Sequence, residues 1–178
     1  MARMQAAALA EFLTRPVNAV IATMRREGRP YLVPVWFLWE PSGERAAGYP
    51  FYPEGVFWLT GTYTRQWCKH LFREPRLSLC VEGGGPVPGY VAADCRAEPI
   101  EPKDADIWPV SAKLVDKYVG ARGGPEAAAR FLANMRTEPR LLFRLTPERW
   151  RAIDLTVYTG SRGDLEYQRA RTNPPLPP

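Results

Sequence analysis

The sequence is poor in the residues that build metal centres and nucleophilic sites. Its 178 residues include one histidine, His70, so a multi-histidine metal centre is excluded. Cys68, Cys80 and Cys95 form no Cys-x-x-Cys pair and leave an odd count. Cys80 and Cys95 fall inside expected strands, where a buried thiol acts as a small hydrophobe. All three cysteines are therefore expected to be reduced, in a cytoplasmic protein. Cys68 stands two positions from His70 on an expected helix, and side chains at that spacing diverge, which removes a Cys/His pair. No Gly-x-Ser-x-Gly elbow occurs. Gly83–Gly89 carries three consecutive glycines but no dinucleotide or Walker spacing, so it reads as a connector. No apolar run approaches the ~18–20 residues of a membrane span. Glu11 and Arg15 interrupt the Ala-rich start, so no signal peptide is expected. An RNA-binding aromatic motif and a zinc finger are also missing, and no nucleic-acid partner is expected. These residue types assign neither a catalytic residue nor a metal site.

What is present is a chain of one-domain length. Twenty-four basic against 19 acidic residues leave a formal charge of +5, which suits either an anionic ligand or a basic, soluble surface. Ala2 to Leu13 carries Leu9, Phe12 and Leu13 at helical spacing, and Pro16 stops the helix. Val17–Met24 and Tyr31–Trp39 are apolar, β-branched and aromatic runs around a turn whose Gly28 can take positive φ. Pro41 to Glu54 reads as a long loop whose Tyr49, Phe51 and Tyr52 close over a ligand or pack on a neighbouring subunit. Further strands are expected at Val56–Thr60, Leu77–Val81, Tyr90–Glu98 and Leu141–Leu145, with another edge strand from Trp150 to Leu155. In the Tyr90–Glu98 strand, Val91, Ala93 and Cys95 share a face. Lys103–Val119 and Pro125–Arg136 read as helices separated by glycines, the second with an apolar stripe that includes Phe131 and Met135. That stripe is expected in the core or at a subunit contact. The expected division is one domain over residues 1–155, with the helical pair inserted near 103–136. Residues 156–178 are rich in charge and proline and are expected as an extended or disordered tail.

The richest candidate for chemistry is Thr60–Arg73. Thr60, Thr62 and Thr64 offer hydroxyls beside a helix start, whose free N–H groups and dipole favour an anion. Arg65 and Lys69 are four apart and share a helix face, with Arg73 continuing the row. The alternative is a solvated amphipathic helix that packs Trp67, Leu71 and Phe72 inward. His70 either packs on this helix or touches a ligand.

The segments AVIAT, GRPYLVPVWFLW, LTGTYTRQWCKHLFREPRLSLCV and YVAADCRAEPIE, with the closing RLLFRLTPERW, occur in a telling order. This arrangement resembles the flavin-binding split barrel of the pyridoxamine 5'-phosphate-oxidase-like superfamily, over most of Phe12 to Asp154. The resemblance implies a mostly β fold, an antiparallel split β-barrel with peripheral helices, paired as a homodimer with a cofactor site between subunits. It implies an oxidoreductase using FMN on a small-molecule substrate. The alternatives are a deazaflavin coenzyme in the same fold, whose acidic tail suits the basic charge, or a non-catalytic binder of flavin or haem. By position, Pro34, Val35, Trp36 and Phe37 would flank the ring, and Thr60, Thr62, Thr64, Arg65 and Lys69 would hold the phosphate. The family often shows an Arg-Lys pair followed by Asn-Leu, whereas here Gln66 or Trp67 replaces a cation and His70 stands in place of Asn. The C-terminus lacks the Arg- and His-containing substrate signature of the true oxidase, of which Trp150 and Arg151 are a faint echo, so that activity is not expected.

Overall fold

A computed structural model describes residues 4, 6–45, 53–83 and 89–155. Tyr49, Phe51, Tyr52 and the tail at 156–178 lie outside the described residues, as does most of the triple-glycine connector. The elements are α1 (Ala6–Thr14), β1 (Ala19–Met24), β2 (Pro30–Val35), β3 (Leu38–Arg45), β4 (Pro53–Thr62), α2 (Gln66–Arg73), β5 (Arg76–Gly83), β6 (Gly89–Ile100), α3 (Trp108–Val115), a π-helical turn (Asp116–Gly120), α4 (Ala121–Met135) and β7 (Arg140–Asp154). All seven strands form one antiparallel sheet in the order β2-β1-β5-β6-β7-β4-β3. The sheet curls without closing, as expected of a split barrel. Among the described residues, no helix is long and apolar enough to cross a membrane.

Alternation of side chains decides which face of each strand is covered. In β5, Leu77, Leu79 and Val81 are buried while Arg76, Ser78 and Cys80 are exposed. Val91, Ala93 and Cys95 of β6 face the same core, as their spacing predicts. Cys80 therefore departs from the expectation of a buried thiol, because its parity in β5 is that of the outer face. The core joins these residues to Phe57 and Leu59 of β4, Leu141, Phe143 and Leu145 of β7, and Leu9, Phe12 and Leu13 of α1. Gly28 takes φ 81° in the β1–β2 turn, the conformation its position calls for.

Several boundaries differ from the sequence reading. The run Tyr31–Trp39 is two strands, not one. Val35 is the last β2 residue paired to β1, and Leu38 is the first β3 residue paired to β4. Trp36 and Phe37 carry the chain from one open edge of the sheet to the other. Strand β3 continues to Arg45 and β4 begins at Pro53, so much of the expected loop is strand. Strand β7 is continuous across fifteen residues and lies inside the sheet between β6 and β4, rather than ending in a separate edge strand. A register shift at Asp94/Cys95 lets the long β6–β7 ladder bend. The first helix of the inserted pair begins at Trp108, after a turn that occupies residues 102–105.

Candidate functional site

The site is built where β4 hands over to α2. The β7 ladder extends β4 through Thr62, which pairs with Arg140. Thr60 and Thr62 therefore lie in a strand, and the turn before the helix is short. The Arg65 N–H donates to the Thr62 carbonyl at 3.1 Å and closes that turn. The Tyr63 hydroxyl donates to Glu101 Oε2 at 2.7 Å, and its ring stacks on Phe72. The first intrahelical bond of α2 runs from the Lys69 N–H to the Arg65 carbonyl at 3.2 Å. The amides of Gln66 and Trp67 precede it, and no side chain caps them. These are the free donors of a helix start.

Helix α2 packs close to the sheet. Trp67, Cys68, His70 and Leu71 are buried beneath it, whereas Phe72 is partly exposed rather than fully inward. Gly61 makes the approach possible. A Cβ there would stand 2.4 Å from Cys68 Sγ and 2.8 Å from the Trp67 ring. Burial pushes the Cys68 thiol up to about 12, against the opposing pull of Arg65 and Arg140, so it is not a nucleophile at neutral pH. His70 is also structural. Its Nδ1 lies 2.9 Å from Thr23 Oγ1 and its ring meets Tyr31 edge-on. Burial, then Arg73 and Arg25, lower its pKa below the usual imidazole value.

Beside the start of α2 opens a cavity of about 290 Å³. Its walls bring together Pro34, Val35, Trp36, Thr60 and Arg65, five of the nine cofactor residues expected from the sequence. Thr60 Oγ1 also reaches the Leu141 carbonyl at 3.4 Å. The other four lie elsewhere. Phe37 is fully buried in the core. Thr62 is buried with its hydroxyl 2.9 Å from that of Thr64, which is itself exposed. Lys69 is exposed one turn along α2, outside the lining of this cavity.

The structure adds residues that linear reading passed over. Arg140 lines the cavity, and its side chain is only 12% exposed. One end of its guanidinium pairs with Glu138, while its buried Nε has no hydrogen-bond partner. Arg65 has no ion-pair partner among the described residues. Two guanidiniums, one with an orphaned donor, thus converge beside free helix amides, and this donor set fits a phosphate. Phe131 and Met135 of α4 also line the cavity; of the apolar stripe expected in the core or at a subunit contact, Met135 is buried and Phe131 is 38% exposed. Among the described residues, no group of three His, Cys, Asp or Glu side chains could hold a metal ion.

Comparison with known proteins places this geometry in a family. The family model for pyridoxamine 5'-phosphate oxidase matches residues 6–154. No curated protein matches the chain. Among solved structures, the fold is similar to a conserved hypothetical protein of Mycobacterium tuberculosis, with a TM-score of 0.62 at 21% identity over 85% of each chain. It is similar to an F420 reductase, with a TM-score of 0.54 at 23% identity over 79% of this chain and 93% of that one. It is also similar to HutZ, the haem storage protein of Vibrio cholerae, with a TM-score of 0.57 at 17% identity over 85% of this chain and 95% of that one. At these identities the likeness speaks for the fold alone.

Proposed function

The chain belongs to the pyridoxamine 5'-phosphate oxidase family, and from that premise we propose that it is an FMN-binding oxidoreductase acting on a small organic substrate. The observation that carries the reading is the convergence of the Arg65 and Arg140 side chains on one cavity walled by Pro34, Val35 and Trp36. Arg65, Arg140, Thr60 and the first amides of α2 would hold the phosphate, and Pro34–Trp36 would flank the ring. The bound flavin supplies hydride chemistry, and the chain supplies binding, orientation and electrostatics. That division agrees with a cavity wall that, among the described residues, carries cations and aromatics but no carboxylate or imidazole. A deazaflavin coenzyme of the kind named for one similar structure is the alternative occupant, since it offers the same two features, a planar ring and a phosphate-bearing tail. Haem is disfavoured by a specific contact, the engagement of His70 Nδ1 with Thr23 outside this cavity.

The site is proposed to be completed by a second copy of the chain. Pro34 pairs with Val20, Leu32 with Ala22 and Pro30 with Met24 across β2 and β1. Val20 and Met24 are each 40% exposed and Leu32 is 65% exposed, so an apolar strip runs from the cavity wall over the outer sheet. The test is the visible spectrum of the purified protein, followed by titration with FMN, riboflavin and a deazaflavin coenzyme. A flavin doublet, or saturable binding of FMN tighter than riboflavin, is the expected result. A single deazaflavin band selects the alternative. A Soret band, or no binding of any of the three, overturns the reading.

A further inference from the structure

The passage from β2 to β3 is a place where the backbone loses its sheet partners. Buried backbone donors and acceptors are almost always satisfied by something. At Phe37 the partners are side chains from the π-helical turn. The Phe37 N–H donates to the Tyr118 hydroxyl at 3.1 Å, and that hydroxyl donates in turn to the Val17 carbonyl at 2.7 Å. The Phe37 carbonyl accepts from Lys117 Nζ at 3.0 Å, and the same amine donates to the Leu13 carbonyl at 2.9 Å. Lys117 Nζ also sits 3.6 Å from the centre of the Phe37 ring. Two consecutive residues thus pin one crossing point to the end of α1 and to the entry of β1.

The crossing point carries the cavity wall. Trp36 precedes Phe37 and lines the cavity, and its indole stacks on Tyr118 at 4.7 Å with planes 4° apart. The Phe131 ring of α4 is tilted against the Trp36 ring, with centres 5.5 Å apart. Such single π turns within α-helices recur at functional sites. Here the wider turn delivers Lys117 and Tyr118 together to the same peptide. The helical insert is tied to the sheet again by Lys113, which meets Glu40 at 2.7 Å, while Glu40 accepts from Trp58 Nε1 at 2.8 Å.

We propose that Lys117 and Tyr118 are positioning residues that hold the Trp36 indole as the fixed wall on which the planar ring of the cofactor rests. The inference builds on the flavin or deazaflavin reading of the cavity. Neither residue is among the phosphate-side donors, so their effect is confined to the ring. Lys117 does not line this cavity, and it acts only through Phe37 and Trp36.

The experiment is a double-variant cycle read by ligand binding. Lys117→Met and Tyr118→Phe should each weaken FMN and riboflavin alike, by about tenfold at most, leaving the FMN-to-riboflavin ratio unchanged. In a Trp36→Ala background the same substitutions should add less than about twofold, because the wall they hold is gone. Equal losses with and without Trp36 overturn the inference, as does an unchanged affinity beside a lowered melting temperature. A ligand-free measurement separates this from the function itself. With 5-fluorotryptophan, the Trp36 resonance, assigned through Trp36→Phe, should be single in the wild type and broadened or split in Lys117→Met. If the wild type binds no flavin and no deazaflavin, the proposed function falls. The resonance then still decides, and an unaltered Trp36 signal in both variants refutes the positioning role.

Discussion

Replacing Arg140 by Met tests the phosphate site at its most specific point. The substitution keeps much of the side chain's volume and removes its donors. In the free protein the loss is small. The pair with Glu138, itself 44% exposed, is worth about 0–1 kcal/mol. Against this, the buried Nε has no partner, and removing an unsatisfied donor relieves a cost of the same order or larger, about 1–3 kcal/mol. The melting temperature without ligand should therefore hold steady or rise slightly. With FMN bound, the Arg140 guanidinium, which lines the cavity, would gain a phosphate acceptor. A hydrogen bond to a charged group is worth about 1.5–3 kcal/mol, so FMN affinity should fall by roughly ten- to a hundredfold at ~1.4 kcal/mol per decade. Riboflavin has no phosphate and should bind unchanged. The assay is fluorescence titration with both ligands, beside thermal unfolding at fixed FMN. Each tenfold loss of affinity removes up to ~1.4 kcal/mol of ligand-induced stabilisation at saturating FMN. An equal loss for FMN and riboflavin, or no loss for either, refutes the assignment of Arg140 to the phosphate.

Other outcomes follow from the same geometry. Gly61→Ala places a Cβ against Cys68 Sγ and Trp67, so it should destabilise the fold by about 1–3 kcal/mol and displace α2. Chemical denaturation measures the first effect and FMN titration the second, and unchanged values in both contradict the close packing. His70 has a folded pKa below its ordinary value, so the unfolded chain takes up its proton first as pH falls. Stability should drop as pH falls through about 6.5 and level off below the folded pKa. His70→Gln should flatten that slope in melting curves from pH 7.5 to 5. Val20→Lys with Leu32→Glu should convert a homodimer to monomer by light scattering, and an unaltered mass places the partner on another face.

The sequence alone determined the elements whose partners are local. The β1–β2 turn was legible because Gly28 must take positive φ between two apolar runs. The inward face of β6 was legible because alternation is a property of the strand itself. The helix at Trp67–Leu71 showed its buried face through its own spacing. Half of the candidate site was visible for a similar reason, since Thr60 and Arg65 stand at a strand-to-helix handover. The tertiary structure decided everything that depends on strand pairing across distance. Arg140 is 78 residues beyond Thr62, and only the β4–β7 register sets them opposite each other. Cys80 looked like a core thiol until its parity in β5 turned it outward. Tyr31–Trp39 reads as one strand because its residues, Pro34 apart, are apolar, β-branched or aromatic. It breaks at Trp36 because the two halves belong to opposite edges of an open sheet, and no local preference encodes which edge a strand will join. Lys117 and Tyr118 sit on a helix with nothing in its spacing to mark them. Their role arises where that break leaves a peptide without ladder partners, and a sequence read along its length carries no sign of which distant side chains will supply them.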